Sequence, residues 1–214
     1  MSYTPSTFHA GTGEDFFRKE GFLVDGMAPL ISARYTIPAF DDSDGTALTI
    51  TNSVAKSAAG AEASWSGYNL SASKTKLLAI AYVHPSTSNY VGLGFHTSTL
   101  PTDELQDAYE ATFDGAGGHS ELGKYVTDGT YTAVQTDSTI FQDDGHVYAT
   151  ALWGIGIYVD GGGNVQKSFL KSGSGQWIQV LADTETDHSS FQSFYLRHYG
   201  ESARFVSPIY CWGS

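Results

Sequence analysis

With 214 residues, 41% of them hydrophobic and 16% charged, the chain is long enough for one large domain and too apolar for intrinsic disorder. Eleven Lys and Arg face 23 Asp and Glu, and the formal charge of −12 repels a phosphate backbone or an anionic membrane, which excludes nucleic acid as a partner. The single cysteine, Cys211, rules out an intrachain disulfide and a cysteine zinc site, and no run approaches the roughly 18 apolar residues of a membrane span.

Residues 1–20 are polar and weakly patterned, and residues 1–29 are expected to form an N-terminal arm or edge segment, with one β-sandwich domain over 30–214. The N-terminal run MSYTPSTFHAGTGEDFF lacks the basic and apolar regions of a signal peptide, so the chain is expected in a cytoplasm or on a particle released from it. Ile31 to Phe40 reads as a strand, Asp41 to Gly45 as a turn, and Ala47 to Asn52 as a second strand. Lys76 to His84, KLLAIAYVH, is a buried strand stopped by Pro85-Ser86, and Tyr90 to His96 follows it. Leu100 to Tyr109 is the one place for a short helical turn, with Pro101 near its start and acids in its first turn. Strands are then expected at Ala108 to Phe113, Glu121 to Val126, Tyr131 to Gln135 and His146 to Trp153. After a hairpin, three more fall at Trp177 to Leu181, Phe191 to His198 and Arg204 to Tyr210. Short runs rich in β-branched and aromatic residues, punctuated by Gly, Asp, Asn and Ser, define an all-β sandwich or barrel.

The hairpin is IGIYVDGGGNVQKSF, Ile155 to Phe169. Ile155, Ile157 and Val159 alternate with Gly156 and Tyr158, the period of a half-buried strand. A phosphate-cradling loop would lead into a helix, and Val-Gln-Lys-Ser-Phe is a poor helix start, so the three glycines read as a bend between strands.

Several motifs are nearly present. Gly118 to Tyr125, GHSELGKY, matches a P-loop up to its last position, where a phenol replaces the small hydroxyl that would meet magnesium. Asp41-Asp-Ser-Asp-Gly45 fails as an EF-hand loop because Phe40 and Thr51 would fall at the first and twelfth positions. The seven histidines (His9, His84, His96, His119, His146, His188 and His198) include no metalloprotease spacing, and no G-x-S-x-G elbow occurs. No metal or cofactor is therefore expected. Trp65-Ser-Gly-Tyr68 sets two large aromatics in a polar segment, so Trp65 and Tyr68 are the candidate carbohydrate-binding residues, against the alternative that they cover a core edge.

Four stretches, Tyr90 to Phe95, Tyr148 to Trp153, Ile155 to Val165 and Ala203 to Val206, are spaced in a way that resembles a concanavalin A-like, laminin-G-like jelly roll. The resemblance spans about residues 30–210 and implies a two-sheet antiparallel jelly-roll sandwich with at most one short helix. It also implies that the final strand returns beside the first, and often that carbohydrate binds the concave face. Glycanases of this fold carry E-x-D-x-x-E; here Glu185-Thr-Asp187 is followed by Ser190 where the second Glu belongs, so the catalytic carry-over fails.

The resulting expectation is a non-catalytic virion surface protein. It would be a capsid or tail decoration or adhesion module, similar to accessory proteins of bacteriophage particles. Its partners would be other virion proteins, copies of itself and host-surface glycans. The alternative is a polysaccharide-cleaving enzyme on the same sandwich; Glu110 is the best acid within a strand-like run, without an evident partner in the sequence.

Overall fold

The structure, a computed structural model, describes residues 27–33, 41–42, 49–51, 54–56, 64–84, 90–99, 106–114, 119–127, 129–137, 153–160, 165–172, 178–184, 187–198 and 204–214. These hold fifteen strands and no helix: β1 (Ala28–Ala33), β2 (Asp41–Asp42), β3 (Thr49–Thr51), β4 (Val54–Lys56), β5 (Ser64–Lys74), β6 (Lys76–His84), β7 (Tyr90–His96), β8 (Ala108–Asp114), β9 (His119–Tyr125), β10 (Tyr131–Asp137), β11 (Trp153–Asp160), β12 (Val165–Ser172), β13 (Ile178–Asp183), β14 (Phe191–His198) and β15 (Arg204–Gly213).

Two antiparallel sheets form the sandwich. One runs β13-β12-β11-β6-β15-β4-β3 with β1 also on β15; the other runs β10-β9-β8-β7-β14-β5-β2. The late return that the jelly-roll resemblance implies is the β15–β1 pairing, with Gly213 opposite Ala28 and Ile209 opposite Ala33. Along its other edge β15 pairs with β6, and its register slips between Val206 and Ile209. Pro208 lies inside that irregularity, where a residue without an N–H costs no ladder bond.

The core fills the space between the sheets. Leu77, Ala79, Ala81 and Val83 of β6 and Trp153, Ile155, Ile157 and Val159 of β11 meet Val91, Leu93, Phe95, Tyr109, Phe113, Leu122, Phe194 and Leu196 of the other sheet. Phe113 and Trp153 join the layers with ring centroids 5.3 Å apart. Phe95 packs against Phe191 and Phe194 at 5.9 and 6.2 Å. The unbroken apolar run of β6 has a physical cause, because Leu78 and Ile80, on its other face, are buried as well. At one side Gln135 of β10 ties the sheet edges together. Its amide oxygen accepts the Ala182 N–H at 3.0 Å and its amide nitrogen donates to Asp183 at 3.2 Å.

β6, β7 and β14 have the boundaries that their sequences predict. The glycine-rich hairpin joins β11 to β12 with Asp160 opposite Val165; its bend, residues 161–164, lies outside the described residues. Two expectations are corrected. Asp41 and Asp42 form a short strand on β5 instead of opening a turn, because the Gly67 and Ser66 backbone offers them partners. The segment expected to turn helically ends in strand, since Ala108 and Tyr109 pair with His96 and Phe95; residues 100–105 lie outside the described residues, as do most of the expected arm and all but Trp153 of the strand expected at His146 to Trp153. β5 carries few apolar residues, and its sequence does not announce it.

Phe95 is wholly buried against the rings of Phe191 and Phe194. Phe95→Ala is expected to lower unfolding free energy by about 3–5 kcal/mol, measured by urea denaturation.

Candidate functional site

The face of the seven-stranded sheet turned away from the core carries polar groups in two cross-strand rows. One runs Gly67, Tyr195, Gly94, Glu110, Gly123, Ala133; the next runs Trp65, Arg197, Gly92, Thr112, Glu121, Thr136. Arg197 on β14 and Glu110 on β8 are separated by β7, and they meet because β7 offers glycine there. A Cβ on Gly92 would stand 2.7 Å from the Glu110 carboxyl carbon. Arg197 Nη2 donates to Glu110 Oε1 at 2.6 Å and Nε donates to Oε2 at 3.0 Å; the Thr112 hydroxyl donates to Oε1 at 2.8 Å. Glu110 is fully buried, and the Arg197 guanidinium lies 5.5 and 6.0 Å from the ring centroids of Tyr125 and Tyr131.

Tyr131 folds over Gly123, where a Cβ would come within 2.3 Å of its hydroxyl, and donates to Glu121 Oε2 at 3.0 Å. His119 Nε2 lies 3.1 Å from Glu121 Oε1. Burial, then the charges of Glu110 and Glu121, push the Tyr131 phenol well above its ordinary pKa, so it stays protonated and is not available to take up a proton. Glu110 and Glu121 share a face on neighbouring strands. The Glu110 carboxylate is already occupied by guanidinium and hydroxyl, whereas glycoside cleavage needs two carboxyl groups facing each other across an open gap.

A cleft of about 520 Å³ opens at the end of the sandwich where β7 and β9 finish and β8 and β14 begin. Thr97, Asp107, Val126, Thr127, Asp187, His188, Ser189 and Ser190 line it. The Thr127 hydroxyl donates to Asp107 Oδ1 at 2.9 Å, and Lys124 pairs with Asp187. His188 anchors one wall. Its backbone N–H donates to the Tyr109 hydroxyl at 2.9 Å, its ring Nε2 donates to the Tyr125 carbonyl at 2.9 Å, and its ring packs on Tyr109 at 4.8 Å. His96 holds the two described ends of the other wall, Ser98 after β7 and Gln106 before β8. Ser98 N–H points at its Nδ1 (2.9 Å) and Gln106 N–H at its Nε2 (3.3 Å), while the Ser98 carbonyl lies 3.2 Å from Nδ1. Either neutral tautomer uses its one lone pair to accept a backbone N–H. Burial, reinforced by His188, lowers the His96 pKa against the opposing pull of the Ser98 hydrogen bond and the Asp107 charge.

Tyr68 stands opposite Phe194 and packs against the core, whereas the register places Trp65 opposite Arg197 in the outer polar row. Glu110, without a partner in the sequence, has two in the structure. Asp187 lines the cleft, and Glu185 lies outside the described residues. Residues 119–125 of the near P-loop are strand β9, with a hairpin after them in place of a helix. Among the described residues no three metal-ligating side chains come together. The cleft went unread because its lining comes from four separate segments; the outer row left a trace in Gly92, Gly94 and Gly123.

No protein-family model matches the chain, and no curated protein matches it. Solved structures do. The carbohydrate-binding module CBM66 from Bacillus subtilis aligns over 88% of this chain and 96% of its own, at 14% identity and a TM-score of 0.57. The exoplasmic/lumenal domain of VIP36, solved with Ca2+ and Man3GlcNAc, aligns over 86% of each chain at 10% identity and a TM-score of 0.57. Peanut lectin, solved with a nine-residue peptide, aligns over 86% of this chain and 98% of its own at 7% identity and a TM-score of 0.54. The fold is thus the concanavalin A-like jelly-roll sandwich that these proteins share.

Removing one partner of a buried ion pair strands the other. Arg197→Met is expected to cost about 3–5 kcal/mol of stability by denaturant melts, and adding Glu110→Gln to it should recover part of that loss. His96 gives a pH dependence of known sign. Its folded pKa lies below the ordinary value of 6.5, so its contribution to stability is full above that value and is lost as pH falls toward the folded pKa. The urea midpoint of the wild type should therefore fall more steeply than that of His96→Asn between about pH 7 and pH 5.

Proposed function

We propose that the protein is a non-catalytic glycan-binding module whose end cleft holds a sugar. We further propose that it serves as a surface accessory of a bacteriophage particle, as a homo-oligomer among other virion proteins. The cleft carries the first reading. Four hydroxyl side chains, two carboxylates, one imidazole and one valine line a space of about 520 Å³, a mixture suited to a ring with polar edges and an apolar face. The sandwich that holds it is the fold of a carbohydrate-binding module and of a domain solved with a bound oligosaccharide, which supports the same reading. The enclosure of Glu110 supports a role without cleavage. The virion setting rests on the sequence: an acidic, weakly charged chain with a single cysteine.

Retention on a panel of immobilised bacterial surface polysaccharides tests the proposal. Wild-type protein should be retained, Ser190→Trp should abolish retention by filling the cleft, and Trp65→Ala should leave it unchanged. Loss with Trp65→Ala alone would move the site to the outer row. Release of shortened sugars would overturn the non-catalytic reading, and no retention on any sugar would overturn glycan binding. The particle assignment expects the protein to band with virions in a density gradient, and failure to do so refutes it.

A further inference from the structure

The cleft contains a backbone conformation that an aspartate does not favour. Asp107 has φ 48°, the left-handed region, and is the only non-glycine residue there among those described. Aspartate enters this region more readily than most residues, but glycine does so without steric cost. The backbone duty of the position is to accept the Thr97 N–H at 3.1 Å through its carbonyl, which any residue can perform. Aspartate adds only its carboxylate.

That carboxylate is held and half engaged. Oδ1 takes the Thr127 hydroxyl, while Oδ2 has no hydrogen-bond donor among the described residues, and the residue lines the cleft. The cleft's other acid, Asp187, is matched by Lys124. Asp107 has no cationic partner among the described residues, and His96 near it is kept toward its neutral form by burial.

We propose that Asp107 sets the ligand class of the cleft: its Oδ2 accepts hydrogen bonds from the hydroxyls of an uncharged sugar ring and turns away rings that carry a carboxylate. The inference rests on the glycan-binding reading and deepens it. A fixed carboxylate is a strong acceptor for hydroxyl groups, and a uronate in the same place would set two like charges in contact.

The test uses the full chain, dextran and mannan as neutral probes, and alginate as a polyuronate. Asp107→Gly should keep or raise the thermal midpoint while its affinity for the neutral probe falls about tenfold or more, the size of a lost charge-assisted hydrogen bond. Asp107→Asn tolerates the same backbone region, retains an oxygen for Thr127, and should gain retention on alginate. Should Asp107→Gly fail to fold, the behaviour of Asp107→Asn on alginate decides. Wild-type binding matched by Asp107→Gly, or Asp107→Asn still refused by alginate, overturns this inference alone. A wild type that binds no polysaccharide overturns the glycan reading with it.

Discussion

An ion pair that crosses a strand organises the seven-stranded sheet. Arg197 and Glu110 sit on β14 and β8, and β7 lies between them. Two side chains can meet over an intervening strand only if that strand offers no side chains of its own there. Glycine at 92 and 94 supplies the gap, and a Cβ at 92 would collide with the Glu110 carboxyl group. The three central strands are thereby tied by a charge-assisted contact in addition to their ladders. Tyr125 and Tyr131 close over the guanidinium and keep it largely out of water. A pair so enclosed is costly to break, which holds the outer face of the sheet's central strands in one arrangement.

The cleft inherits that rigidity at one remove. Its lining residues sit at the ends of β7, β8, β9 and β14, and three of those strands carry the ion-pair network or the glycines beneath it. The histidines at its walls serve as fasteners. His188 joins the segment before β14 to Tyr109 and Tyr125, and His96 joins the segment before β8 to the end of β7. Loops held in this way present hydroxyls and carboxylates at set positions, the condition for recognising a small polar ring without ordering the site anew.

How much of this was legible follows from where the information resides. Strands with apolar alternation or an unbroken apolar run, such as β6, β7 and β14, declare themselves locally. β5 does not, because only Trp65, Tyr68 and Leu70 among its eleven residues are large and apolar. Parity within β5 separates Trp65 from Tyr68, but the extent of the strand had to be known before parity could be used. The ion pair joins residues 87 positions apart, and only the glycines hinted at it. The left-handed backbone of Asp107 leaves no mark in LQDAY, since aspartate is ordinary in loops. The fold is written in short-range pattern, whereas the site is made by juxtaposition across the sheet.

β15 occupies the middle of its sheet, flanked by β6 on one side and by β4 and β1 on the other, although it follows all of them in chain order. On a ribosome, the strands on either side of it therefore emerge with a vacancy between them. The eight-stranded layer cannot close until residues 204–213 leave the exit tunnel and insert. Its assembly is dominated by contacts between distant parts of the chain, which places it among slow folders, and exposed edges of β6 must be shielded in the interval.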